Sequence, residues 1–257
     1  MDVHPAPVIL TATAVGASHR RRSTDGDDAV GALAHTDAAM AVVADGHSDP
    51  RCTRARRGAE LAVQAALQHI DAPAGAADLG LAVVRTWQHM VRREVAAEPE
   101  AGLTPLAFGT TVLICRAHPG GIDLAQIGDG DIVVARLDGT ATRPFAIERT
   151  GGSGTDSLSD ERAEDLLRAH EVEDPASVSL VALASDGVDN AYPDDAALLD
   201  AVLEIQEMGP RSHERRVGTE LRRWVERAAA TSGDDASVAL LIPSPSSRPA
   251  LRPLRHA

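Results

Sequence analysis

Asp45 closes the apolar run Val42-Val43-Ala44 and is followed at once by Gly46 and His47. The arrangement returns along the chain. Asp129 and Asp131 follow AQIG, Asp186 follows LVALAS, and Asp234 and Asp235 precede ASVALLI. Gly46, Gly128, Gly130, Gly187 and Gly233 stand beside them. One strand-end Asp-Gly is most often only a turn. A set of them is different. Glycine lets the backbone turn sharply and approach a ligand closely. Carboxylates gathered at one end of a β-scaffold repel one another unless cations lie between them. Oxygen ligands without cysteine suit hard cations, Mg²⁺ or Mn²⁺. Two such ions can share a water, lower its pKa and turn it on phosphorus.

Elements must bring those acids together. Val, Ile and Thr make Pro7–Ser18 a strand; Ala29–Ala34 and Ala38–Ala44 flank a hairpin turn at HTDA. Cys52–Ile70 and Leu79–Ala97 carry helical periodicity. Phe108–Arg116, Ile122–Ile127 and Ile132–Leu137 are short apolar runs separated by HPGG and GDGD, both turn sequences. Ser159–Ala169 is expected as a helix with Ser159 as N-cap, Val178–Ala184 as a strand, Ala196–Glu207 and Arg211–Ala229 as helices, and Ser237–Ile242 as the last strand. Arg149–Asp160 is Gly/Ser-rich and reads as a mobile loop. Strands in runs and helices in pairs argue against alternating βαβ units and for stacked antiparallel sheets with helices outside. One domain over residues 1–243 and a disordered tail at 244–257 are expected.

Composition narrows the function. The net charge of −13 repels nucleic-acid backbones. All 25 basic residues are arginine, and aromatics are only 2%, so the core must be mostly Ala, Val, Leu and Ile. The two cysteines, Cys52 and Cys115, form no CxxC and no zinc spacing, so a reducing cytoplasm is the expected setting. No apolar run approaches the roughly 18–20 residues that span a bilayer, and the N-terminus lacks a signal-peptide pattern. Cys52 reads as a small buried or half-buried residue and not a nucleophile, and Trp87 and Trp224 as core.

In order, GASHRRRSTDGDDAV, VVADGH, FGTTVLI, AQIGDGDIVVAR, LASDGVDNAY and GDDASVALLI resemble the metal-dependent protein serine/threonine phosphatases of the PP2C type, the first of them its bacterial subgroup. Each motif alone is weak; their order and spacing over Gly16 to Ile242 are jointly specific. The resemblance implies an α/β (αββα) sandwich of two antiparallel sheets flanked by helices. It implies hydrolysis of phosphoserine or phosphothreonine through a metal-bridging hydroxide, with two or three Mn²⁺ or Mg²⁺ ions. Asp45 matches the bridging ligand, the Gly46 carbonyl a second, and Asp186 and Asp234 further ligands. Asp28 matches the acid that holds metal-bound water, and Asp129 the ligand of a third, weaker site. His47 matches the general acid. Arg20–Arg22 lie where the family places a phosphate-binding arginine; RRRSTDGDD aligns only with a shift, so Arg20 and Arg22 both stand as candidates. The loop over 149–160 matches a flap.

There are departures. Ser48-Asp49 stand where a second glycine is usual, Gly130 replaces a common serine, and Asp235 stands where asparagine is frequent. None removes a metal-binding carboxylate. Asp131 and Asp189 read as supporting or turn residues. Implied partners are a phosphorylated protein and a Ser/Thr kinase or its targets, with no nucleic acid, no membrane and a monomeric state. Two other functions fit the same residues: a phosphoprotein-binding module without turnover, and a hydrolase of small phosphoesters.

Overall fold

A computed structural model of the chain describes residues 7–35, 37–73, 75–145, 155–208 and 214–243. Among the described residues ten strands form two five-stranded sheets in which every paired strand is antiparallel. The first sheet has the order β1 (Val8–Ala14), β10 (Ala236–Ile242), β9 (Val178–Ala184), β6 (Asp131–Arg136) and β7 (Ala141–Thr142). The second runs β2 (Ala29–Ala34), β3 (Ala39–Ala44), β4 (Val112–His118), β5 (Gly121–Ile127) and β8 (Arg168–Glu171).

Period-two alternation explains why inner strands read as continuous apolar runs. All six residues of β3 are buried. Ala39, Ala41 and Val43 face the other sheet, in a cluster with Leu124, Val134, Leu183 and Leu241. Met40, Val42 and Ala44 face the opposite way, against α2 (Ala55–Leu67) and α3 (Ala76–Ala97). The first sheet's outer face is covered by α6 (Asp195–Met208) and α7 (Glu214–Ser232), with Leu198, Val202, Leu221 and Val225 in the seam. The layers are therefore helix, sheet, sheet, helix, as expected. Alanine keeps them close where aromatics are scarce.

Register decides where the acids emerge. Ala29 pairs with Ala44, Ala14 with Ala236, and Asp131 with Ala184. The turns that carry Asp28, Asp45, Asp186 and Asp234 thus leave the sandwich at one end. Gly128-Asp129-Gly130 crosses there from β5 in one sheet to β6 in the other, and Gly128 turns at φ +109°, a region disfavoured for other residues.

Some boundaries differ from the sequence reading. The first strand ends at Ala14, and Ala17–Arg22 is a short helix, α1. Phe108 belongs to a 3₁₀ turn, Pro105–Phe108, ahead of β4. The helix expected over Ser159–Ala169 shrinks to α4, Ala163–Leu166, and Arg168–Glu171 extends as β8. The reason is the free edge of β5: Asp123 to Gln126 pair with Glu171 to Arg168. A polar edge strand carries no apolar run to reveal it. The tail expectation at 244–257 and the loop expectation over 149–154 concern positions outside the described residues.

Candidate metal centre

Asp45 is held by its backbone. Its N–H donates to Thr111 Oγ1 at 3.0 Å, and its carbonyl accepts from Thr110 Oγ1 and Thr111 N, both at 2.8 Å. Gly46 bridges to Thr110, and the His47 N–H donates to the Gly109 carbonyl at 3.0 Å. The Gly109-Thr110-Thr111 stretch is therefore the cradle of Asp45-Gly46-His47. Ser185 Oγ donates to Asp28 Oδ2 at 2.9 Å and accepts from Ser237 N at 2.9 Å, tying Asp28 to the ends of β9 and β10. Asp186 opens α5 (Asp186–Asp189), whose Gly187 is pressed so close to the Asp235 carbonyl that a Cβ would lie 1.9 Å from it.

The carboxylates meet. Asp45 lies within hydrogen-bonding reach of both Asp28 and Asp186. Burial, and then the charges of Asp28 and Asp186, push Asp45 well above the usual carboxylate range. Burial drives Asp28 up to about 7, against the hydrogen bonds of Ser237 and Ser185. Burial also raises Asp186; contact with Asp45 opposes this, and the charges of Asp129 and Asp234 add to it. Asp28 Oδ1 and Asp186 Oδ1 are buried without a hydrogen-bond partner. Buried like charges with unpartnered oxygens demand protons or cations. Among the described residues no three such side chains already stand in a metal cage; the acids touch one another instead. The donor set is all oxygen, which fits Mg²⁺ or Mn²⁺ and not a thiophilic metal.

The other expected residues sit as follows. Asp129 accepts from Thr155 Oγ1 at 2.7 Å and places its charge near His47 and Asp186. Asp234 accepts from the Asp235 N–H at 2.9 Å. His47 Nε2 is buried without a partner, and burial lowers the imidazole pKa against the pull of Asp129 and Asp49. Arg20 and Arg22 are exposed on α1, and their guanidinium groups donate to the carbonyls of Val15 and Ser18. Among the described residues neither forms an ion pair with the carboxylates.

Three features escaped the sequence reading. Asp235 is a clamp: its carboxylate accepts from the N–H groups of Gly16 and Asp27, each at 2.6 Å, and lies 3.0 Å from His19 Nδ1. His19 is buried, with its other nitrogen 3.2 Å from Asp27. This clamp fixes the segment that carries Asp28. Arg168 donates to the Gly128 carbonyl and lies over the Phe145 ring at 5.9 Å. Arg143 pairs with Asp131 and Asp195. Such pairs join positions far apart in sequence, and no local pattern announces them.

Comparisons with known proteins give the family and the fold. A family model described as Protein phosphatase 2C matches residues 15–226. The catalytic domain of the serine/threonine protein phosphatase PstP, in complex with two manganese ions, is 19% identical with a TM-score of 0.64; the match covers 93% of this chain and 98% of that one. The Mycobacterium tuberculosis phosphatase PstP/Ppp is 17% identical, with a TM-score of 0.62 over 93% and 99% of the two chains. Stp1 from Staphylococcus aureus is 14% identical, with a TM-score of 0.62 over 94% and 97%. At these identities the structural likeness speaks for the fold. Comparison with curated protein sequences gives no match.

Proposed function

Because the chain belongs to the protein phosphatase 2C family, we propose that it is a metal-dependent phosphatase of phosphoserine and phosphothreonine in proteins. The observation that supports this best is the meeting of Asp28, Asp45 and Asp186, with unpartnered oxygens, at the glycine-lined end of the sandwich. Asp45, the Gly46 carbonyl, Asp186 and Asp234 would hold two Mn²⁺ or Mg²⁺ ions, Asp28 would orient water beside them, and Asp129 would share a third ion with Asp186. The ions, when bound, supply an acidified water and neutralise phosphate charge.

The residues of the chain do the rest. Water forms the new P–O bond, and the serine or threonine oxygen leaves. His47 gives that oxygen its proton. Burial disfavours the imidazolium in the free protein, and the phosphate dianion, once bound, favours it. Arg20 and Arg22, exposed on α1, would draw the phosphate dianion toward the centre. The reading extends to a cytoplasmic monomer acting on products of Ser/Thr kinases. Among the described residues no helix is long and apolar enough to cross a membrane, and both cysteines are free and buried.

The test is hydrolysis of p-nitrophenyl phosphate and of phosphoserine and phosphothreonine peptides, with Mn²⁺, with Mg²⁺ and with EDTA. Turnover that needs metal and is lost in Asp45→Ala and Asp186→Ala supports the reading. A folded protein that binds Mn²⁺ yet hydrolyses no phosphoester with either metal would reduce it to a binding module. Turnover of the small ester alone would redirect it to small phosphoesters.

A further inference from the structure

Asp131 and Asp189 form a second acidic contact beside the first. Asp131 opens β6 directly after Asp129-Gly130 and pairs with Ala184, the last residue of β9. Asp189 closes α5, one turn beyond Asp186. The two side chains lie within hydrogen-bonding reach of each other. Both are nearly enclosed, at 2% and 7% exposure. Left alone, two carboxylates so placed would repel and push the Asp129 loop away from the helix that carries Asp186.

Arg143 answers this charge. Its side chain is 7% exposed; Nη2 donates to Asp131 Oδ1, and Nη1 lies 2.6 Å from Asp195 Oδ1 at the start of α6. One guanidinium thereby links β6, the outer helix layer and, through Asp131, the end of α5. A flat, permanently charged fork presents its donors to two carboxylates in fixed directions, where an ammonium is a compact point charge with rotatable donors.

We propose that Arg143 is a positioning residue for the metal centre: by neutralising Asp131, which lies against Asp189, it holds Asp129 and Asp186 at the spacing that accepts cations. The inference rests on the metal-dependent reading above. Residues that support metal ligands from behind typically change metal affinity about 10–100-fold when removed. The guanidinium pairs with Asp131 and Asp195, neither of them assigned to an ion, so its loss acts on binding of the cation.

The experiment measures equilibrium Mn²⁺ binding by calorimetry at fixed pH, alongside thermal unfolding without metal, for wild type, Arg143→Met, Arg143→Lys and Arg143→Met/Asp131→Asn. Arg143→Met should weaken Mn²⁺ binding about 10–100-fold. Arg143→Lys should fall between it and wild type. The double variant, which removes the charge conflict, should bind Mn²⁺ within about threefold of wild type. Should Arg143→Met not fold, the double variant should fold and bind. Unchanged Mn²⁺ affinity in Arg143→Met overturns the proposal. So does a loss of binding, or of folding, that Asp131→Asn does not repair, because charge would then not be the cause. If wild type itself binds no Mn²⁺, the metal-dependent reading falls before this one is reached.

Discussion

Asp123 lies on β5 and Asp45 directly beyond the end of β3 in the same sheet, and both are drawn away from water. Asp123 faces Arg116 across β4 and β5, in register, with Arg116 Nη2 at 2.6 Å and His118 Nε2 at 3.1 Å. The remaining Arg116 donors reach the carbonyls of His69, Ala72 and Pro73. Burial pushes the Asp123 carboxyl up, but the hydrogen bonds of His118 and Arg116 win and leave it below the usual range. Asp45 has carboxylates for neighbours, and its shift runs the other way. The contrast teaches how to read a buried acid. One with matched donors on every side is structure; one crowded by its own kind is poised for something the chain does not itself supply.

Substitution should separate the two. Asp45→Ala is expected to lower phosphoester turnover by about a thousandfold or more, since without the ions water keeps its ordinary pKa. Asp45→Asn should lose activity equally while raising the melting temperature of the metal-free protein, because it removes a buried like-charge contact. Asp123→Ala should do the reverse. It leaves Arg116 buried without its carboxylate, which costs about 3–5 kcal/mol, while Mn²⁺ affinity measured by calorimetry stays near wild type. A stabilised Asp123→Ala or a destabilised Asp45→Asn would break the comparison.

The same contrast shows what a sequence discloses. The strand-end acids were legible because an apolar run stopped by Asp and Gly is a local event, and its recurrence along one chain points to a shared site. The sandwich was legible for a similar reason: β3 is uniformly apolar, and β5 and β9 are apolar over most of their length, because both faces are covered. Strand β8 was not, because RAHE forms a strand only where β5 offers an edge. Nor was the clamp. Asp235 reads as a twin of Asp234, and only folding brings Gly16, His19 and Asp27 to its carboxylate. Arg143 reads as one arginine among many until β6 and α6 place Asp131 and Asp195 around it.

Protons should report the difference next. A carboxyl whose folded pKa is raised ionises earlier in the unfolded chain, so its folded state loses ground as pH climbs from the unfolded value toward the folded one. Asp28 and Asp131 are both pushed to about 7 from 3.8, Asp28 mainly by burial, Asp131 by burial and Asp189. Metal-free protein should therefore lose a few kcal/mol of stability between about pH 4 and pH 7. Asp123, with its lowered pKa, contributes stability that is present above about pH 4 and lost as pH falls below it. Saturating Mn²⁺ should flatten the fall between pH 4 and 7 and leave the acid limb alone. Thermal unfolding across that range, with and without Mn²⁺, reads both limbs. A slope untouched by Mn²⁺ would mean that the raised carboxyls and the cation site are separate.

The smallest expected effect lies outside the sandwich. Arg20 and Arg22 are exposed on a chain of net charge −13, so a phosphate dianion approaches against the general field and meets α1 as a local exception. A unit charge about 4 Å from an anion in water is worth about 1 kcal/mol, or roughly a fivefold change in binding. Arg20→Ala and Arg22→Ala should each raise KM for a phosphopeptide about three- to tenfold while kcat stays within about twofold. The effect should shrink at 1 M salt, where the Debye length is about 3 Å. A hundredfold loss of kcat in one of them, persisting at high salt, would mean something stronger than steering. That guanidinium would have left the Val15 or Ser18 carbonyl it now binds to grip the reacting phosphate, and α1 would belong to the centre that Asp45 anchors.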